Sequence, residues 1–107
     1  MVITVTPGAQ SPVTLDEPDD FTRFHVAVGG GRDRSRLADA LTVSGAGVAH
    51  GDDVLVRVAW VRAAAAGRGA PDWEEGFAGM LDYARRKGWL DEPGDAVRAH
   101  VEWDVDQ

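Results

Sequence analysis

Apolar residues recur at every third or fourth position between Pro71 and Gly88, which is the spacing of an amphipathic α-helix. The apolar stripe consists of Trp73, Phe77, Met80, Leu81 and Ala84. Acidic residues lie at the start of this segment and basic residues at its end, so both charges match the helix dipole. The pattern predicts a helix over residues 72–87 that packs one face against a sheet.

Both ends of this helix carry residues that favour helix termination. Asp72 and Glu75 have the spacing of a capping box, in which each side chain accepts a hydrogen bond from the other residue's backbone N–H. Gly88 suits the left-handed position after a helix, and Trp89 can fold back on the last turn. We therefore expect the helix to begin after Asp72 and to end before Gly88.

A period of two between apolar and polar residues predicts three main strands, at residues 21–28, 52–62 and 96–103. The second of them is apolar on both faces, which is typical of a central strand. Residues 2–5 and 13–15 are shorter apolar runs around a Pro-Gly turn signal, and they predict a hairpin. An acidic, proline-containing loop is expected to follow at residues 16–20.

A second, shorter helix is predicted at residues 32–41. Leu37, Ala38 and Leu41 have helical spacing after Asp33 or Ser35 as the N-cap, and a Ser-Gly-Ala-Gly segment then ends the pattern. The small residues 63–70 fit a strand extension, a helical turn or a mobile connection equally well. These elements predict an α+β fold: one domain with a mixed or mainly antiparallel sheet of four to five strands and two helices on one face.

Length and charge exclude several classes of protein. A chain of 107 residues has the size of one domain, and residues 104–107 are expected to fray. No apolar run is long enough to cross a bilayer and no secretory signal is visible, so a cytoplasmic location is expected. The formal charge of −7 argues against nucleic acid and anionic membranes as partners. Cysteine is absent, and no cofactor and no metal are expected.

The strongest candidate site is the outer face of the sheet, meaning the face that points away from the predicted helices. The strand patterns place six polar side chains there: Arg23, His25, Arg57, Arg98, His100 and Glu102. Histidines and a carboxylate are the parts of an acid–base site, which makes His25, His100 and Glu102 candidate catalytic residues. The arginines are candidate anion-binding residues. Alternatively, this face is solvated or covered by a second copy of the chain.

Two loops could also hold a ligand. Gly30, Gly31 and Arg32 lie where a strand meets a helix, and backbone N–H groups at such a junction attract anions. Their spacing matches neither of the common phosphate-binding motifs, so a plain turn is the alternative. The segment 50–53, His-Gly-Asp-Asp, resembles a set of metal ligands, but adjacent aspartates point to opposite sides of an extended chain. We expect it to be the loop before the next strand.

The long helix contains Gly76 and Gly79, each of which costs up to about 1 kcal/mol relative to alanine. Close packing is the expected compensation, and a ligand approaching the helix is the alternative. Tyr83 lies one turn from Gly79 and is a candidate ligand-binding residue.

Two functions are consistent with these features. The first is a small binding or assembly domain that forms a homodimer through its sheet, because Leu55 and Val61 are predicted to be apolar residues on a polar face. A protein partner is possible for the same reason. The second is a cofactor-independent acid–base enzyme that binds an anionic small molecule over the outer face. This enzyme interpretation requires His25 and His100 on neighbouring strands and a concave pocket beside them.

Overall fold

A computed structural model describes residues 1–7, 12–29, 33–91 and 94–103 of the chain. Within these residues it contains six strands and three helices. The strands are β1 (Val2–Val5), β2 (Val13–Asp16), β3 (His25–Val28), β4 (Gly47–His50), β5 (Asp53–Arg57) and β6 (Ala96–Trp103). The helices are α1 (Arg34–Ser44), α2 (Val58–Ala65) and α3 (Trp73–Lys87). The predicted tail at residues 104–107 lies outside the described part of the chain.

The six strands form one mixed sheet in the order β2-β1-β3-β6-β5-β4. β3 lies parallel to both of its neighbours, β1 and β6, while the other neighbouring strands are antiparallel. The α+β class is therefore confirmed, whereas the prediction of four to five strands and two helices is wrong. The additional strand is β4, which is short and begins at the last glycine of the Ser-Gly-Ala-Gly segment, so sequence periodicity did not reveal it.

The additional helix is α2, and it replaces the second half of the predicted strand at 52–62. β5 ends at Arg57, after which Val58, Val61 and Ala65 are buried at helical spacing. An apolar residue at every second position fits a strand, but Val58 and Val61 fit a helix face equally well. Val61 consequently lies in the core, 1% exposed, and is absent from the outer face. This removes one of the two apolar residues that suggested a dimer interface.

The other two helices lie where the sequence predicts them, but α1 begins two residues and ends three residues later than predicted, and one cap of α3 differs. Asp33 caps α1 by accepting a hydrogen bond of 3.1 Å from the backbone N–H of Arg36. Gly88 follows α3 with a φ of 80°, as predicted for the left-handed position. Asp72 makes no capping hydrogen bond through its side chain, so the predicted capping box is wrong. Its backbone (φ −98°, ψ 19°) is not in the extended conformation that an N-cap residue normally takes.

The core lies between the three helices and one face of the sheet. Strand registers place Ile3 beside Val26, and Val54 beside Ala99, on this buried face. Phe77 is the largest fully buried side chain and stacks on Trp73, with ring centroids 4.8 Å apart. Along the described part of the chain, no helix is long and apolar enough to span a membrane.

Candidate functional site

All three histidines of the chain lie in one row across the outer face. The registers place His25 on β3 beside His100 on β6, His100 beside Asp53 on β5, and Asp53 beside His50 on β4. Side chains at directly paired positions project from the same side of a sheet. We call these four residues the histidine row. His25 and His100 thus lie on neighbouring strands, which is one of the two conditions for the acid–base interpretation.

The two central histidines have different carboxylate neighbours. His25 Nε2 lies 3.4 Å from Glu102 Oε2, and His100 Nδ1 lies 3.5 Å from Asp53 Oδ1. Asp53 also pairs with Arg98, whose Nε lies 3.8 Å from Asp53 Oδ2. The outer face therefore carries two separate groups: a His25–Glu102 pair and an Asp53–Arg98–His100 cluster.

A cleft of about 550 Å³ opens beside the second of these groups. It exists because β3 begins only at His25, so the first half of β6 has no β3 residue beside it. On that same edge of β6, Leu90 pairs with Val97, and the Arg98 N–H donates to the Trp89 carbonyl at 2.7 Å. The gap between the start of β3 and the segment at 89–91 is the cleft.

The cleft has apolar walls and a polar end. Its lining comprises Phe21, Thr22, Phe24, Asp53, Met80, Tyr83, Ala84, Trp89, Val97, Arg98 and His100. Tyr83 and Trp89 are half-exposed and pack edge to face, with ring centroids 5.9 Å apart. The Lys87 ammonium lies 5.6 Å from the centre of the Tyr83 ring. The polar end consists of the Asp53–Arg98–His100 cluster.

Thr22, which lines this cleft, also forms hydrogen bonds within the loop that precedes β3. Its hydroxyl and its N–H both donate to the Asp20 carboxylate, at 2.6 and 3.1 Å. These hydrogen bonds, the hydroxyl first, hold the pKa of Asp20 below its usual value.

The predicted site residues divide between the cleft and the remainder of the outer face. Arg98, His100 and Tyr83 line the cleft, although they were predicted in two unrelated regions. His25 and Glu102 belong to the outer face but do not line the cleft.

The remaining candidates are not brought to the cleft. Arg57 is exposed at the end of β5, beside Ala96. Arg23 is exposed before β3, and its carbonyl accepts a hydrogen bond from the Met1 nitrogen. Gly30, Gly31 and Arg32 fall outside the described residues.

Sequence reasoning missed Asp53 and most of the apolar wall. The predicted strand at 52–62 contains Asp53, but this residue was interpreted only as part of the 50–53 loop and was not predicted as a site residue. It is the first residue of β5 and lies in phase with Leu55 and Arg57. That phase is the signal that could have placed it on the outer face. Phe21 and Phe24 were assigned to a strand that in fact begins at His25, so their position beside the cleft was not foreseen.

The segment at 50–53 does not form a metal site in the described structure. Gly51 and Asp52 form the tight turn between β4 and β5, and the Asp52 carboxylate lies 2.5 Å from Arg34 Nη2. Across the residues that the structure describes, no group of three histidine or acidic side chains is arranged to hold a metal ion.

Comparisons of the chain with protein-family models, with curated proteins and with solved structures found no match. The geometry and chemistry of the cleft are therefore the basis on which a function is assigned.

Proposed function

We propose that the protein is a small binding domain that holds a small amphipathic molecule in the cleft. The observation that carries this proposal is the composition of the lining, in which aromatic and aliphatic walls lead to one cluster of polar side chains. Binding sites for small molecules are typically concave, mostly apolar and equipped with a few polar groups that orient the ligand. A volume of about 550 Å³ lies within the usual range for such sites.

The test is a titration of the protein with 2-naphthylacetamide and 2-naphthylacetate, two probes with the same planar apolar body. Binding is followed by amide chemical shifts. We expect saturable binding of at least one probe, with shift changes concentrated at Tyr83, Trp89 and Val97. Tyr83→Ala removes an aromatic wall and should weaken binding by about 0.5–1.5 kcal/mol. Val43→Ala is the matched control, because Val43 is 81% exposed on α1 and does not line the cleft.

The second candidate function is a cofactor-independent acid–base enzyme. The pairing of His100 with Asp53 at the polar end of the cleft favours it, since a carboxylate beside one imidazole nitrogen orients the other nitrogen for proton transfer. In this proposal His100 takes the catalytic role, Asp53 positions it, and Arg98 replaces Arg57 as the group nearest to an anionic substrate. His25 and Glu102 form the neighbouring pair.

Deuterium exchange tests this enzyme candidate. Phenylpyruvate carries exchangeable protons next to its ketone, so a base in the cleft should accelerate their replacement in D₂O. We expect wild-type protein to raise the exchange rate above that in buffer and His100→Gln to abolish the increase. Equal rates with and without wild-type protein would contradict the enzyme candidate.

Self-association through the outer face is a further part of the proposal. Val48 on β4 and Leu55 on β5 are direct neighbours on this face, and Val48 is 63% exposed. An apolar pair near a sheet edge, surrounded by charged residues, resembles the centre of an interface with a polar rim. A homodimer is the partner that we favour, with another protein chain as the alternative.

A further inference from the structure

We propose that the ligand of the cleft is an aromatic carboxylate whose charged group binds the terminal nitrogens of Arg98. This inference rests on the proposed binding function and names the chemical class of the ligand. It depends on three features: the free end of Arg98, the depth of Asp53 relative to its cationic neighbours, and the aromatic rim of the cleft.

Arg98 is held firmly at its backbone and incompletely paired at its side chain. Its N–H donates to the Trp89 carbonyl at 2.7 Å, which fixes β6 at the edge of the cleft. The contact with Asp53 uses Nε, at 3.8 Å. Among the described residues, neither terminal nitrogen of Arg98 makes a hydrogen bond, and the ion pair with Asp53 is made through Nε. The fork of the guanidinium is therefore available for two parallel hydrogen bonds to a carboxylate.

The depth of the three polar residues decides which charge an incoming molecule meets first. The Asp53 side chain is 28% exposed, against 48% for Arg98 and 70% for His100. Asp53 therefore lies behind its two neighbours and holds them in place, while Arg98 and His100 face the solvent. The contact with Asp53 involves His100 Nδ1. The Nε2 atom of His100 therefore points away from Asp53 and supplies a second hydrogen-bonding group. An anion fits this arrangement better than a cation, because a cation would meet the positive charge of Arg98 before the negative charge of Asp53.

The rim of the cleft favours an aromatic body on the same molecule. Tyr83 and Trp89 are 50% and 43% exposed, although large aromatic side chains are usually more deeply buried. Phe21 and Phe24 line the same cleft. A planar ring bound among these side chains would cover aromatic surface that now faces solvent, and would gain the additional energy of ring-to-ring contact. The carboxylate would then lie at the Arg98 end.

The experiment compares 2-naphthylacetate with 2-naphthylacetamide, which differ in charge and hardly at all in shape. Dissociation constants are measured by calorimetry near pH 7 for wild type, Arg98→Gln and Arg57→Gln. Arg57 is the matched control, because it is an exposed arginine on the same sheet face but does not line the cleft. We expect wild type to bind the carboxylate about tenfold or more tightly than the amide. Arg98→Gln should lose this preference and Arg57→Gln should keep it.

Each result that differs from these expectations contradicts one specific claim. Equal binding of the two probes by wild type overturns the carboxylate inference and leaves the proposed binding function standing. A preference that survives in Arg98→Gln overturns the assignment of Arg98. Binding of neither probe overturns the proposed function itself. Thermal unfolding of each variant, with an unchanged midpoint expected for these exposed arginines, separates a local effect from loss of the fold.

Discussion

Gly76 on α3 lies directly against the ring of Phe21: a Cβ atom at this glycine would lie 2.3 Å from Phe21 Cε2. The same atom at Gly79, one turn away, would meet nothing within 4 Å. The two glycines that interrupt the helix thus have different roles. Gly76 allows α3 to approach the loop before β3, whereas Gly79 faces open space and has room for a Cβ atom.

Alanine substitutions at the two glycines should therefore change stability in opposite directions. Gly79→Ala should raise the free energy of unfolding by up to about 1 kcal/mol through helix propensity alone. Gly76→Ala should lower it by about 1–3 kcal/mol, because the Phe21 ring, which packs 6.2 Å from Trp73, must shift to make room for the added methyl group. Urea titrations measure both values. Stabilisation by both substitutions would contradict the close packing inferred at Gly76.

Phe77 is predicted to be the largest single contributor to the core of α3. It is fully buried, stacks on Trp73, and has the Arg62 guanidinium 5.4 Å from its ring centre. Phe77→Ala should lower the free energy of unfolding by about 3–5 kcal/mol. Tyr83→Ala on the same helix is the control and should cost far less, since that ring is half-exposed. A loss below about 1 kcal/mol for Phe77→Ala would show that this stripe is not the core.

The Thr22–Asp20 contact predicts a pH dependence of stability. The pKa of Asp20 lies below its usual value near 3.8, chiefly because the Thr22 hydroxyl donates to the carboxylate. A carboxyl group with a lowered pKa in the folded state stabilises the fold above its unfolded pKa, and this contribution is lost as the pH falls through the folded pKa. Thr22→Val should therefore destabilise the protein near neutral pH, and this difference from wild type should shrink at an acidic pH below the usual value near 3.8.

Thr42→Val provides the comparison for this pH effect. The Thr42 hydroxyl donates to the Ala38 carbonyl at 2.9 Å, and a carbonyl does not titrate. Its effect on the urea midpoint should be the same at both pH values. A Thr22→Val difference that is likewise independent of pH would show that the hydroxyl does not act through the Asp20 carboxylate.

Self-association is tested at Leu55, which pairs with Val48 on the outer face. Sedimentation equilibrium at tens of micromolar protein should give a dimer mass for wild type and a monomer mass for Leu55→Glu. Val43→Glu places the same charge on α1, where Val43 is already 81% exposed, and should leave the mass unchanged. A sharp monomer mass for wild type would contradict dimer formation through this face.

Elements with complete local signals were predictable from the sequence. α3 has a continuous apolar stripe and a terminal glycine, and β6 has an uninterrupted period of two, so both were predicted within one residue of their bounds. α2 was not, because the four residues 58–61 are too few to separate a period of two from a helical period. The segment forms a helix because this conformation buries Val58, Val61 and Ala65 together, which is a tertiary effect.

Only the part of the candidate site that depends on the alternation of side chains along each strand was predictable. Phase placed Arg98 and His100 on one face, and strand pairing then brought His25 beside His100. The cleft itself depends on where β3 begins and on the pairing of Leu90 with Val97. Neither feature leaves a local pattern in the sequence, since each is a relationship between segments that are distant along the chain.

The position of β6 within the sheet also determines the order in which the fold can be completed. β6 joins the β2-β1-β3 part of the sheet to the β5-β4 part, yet it is the last of the described strands along the chain. During synthesis, β6 leaves the ribosome after β3 and β5, so each of these two strands has one unpaired edge until β6 is available. Such edges pair readily with other chains, and pairing between distant segments is slow. Nascent chains that stop before Ala96 should accordingly aggregate or require chaperones.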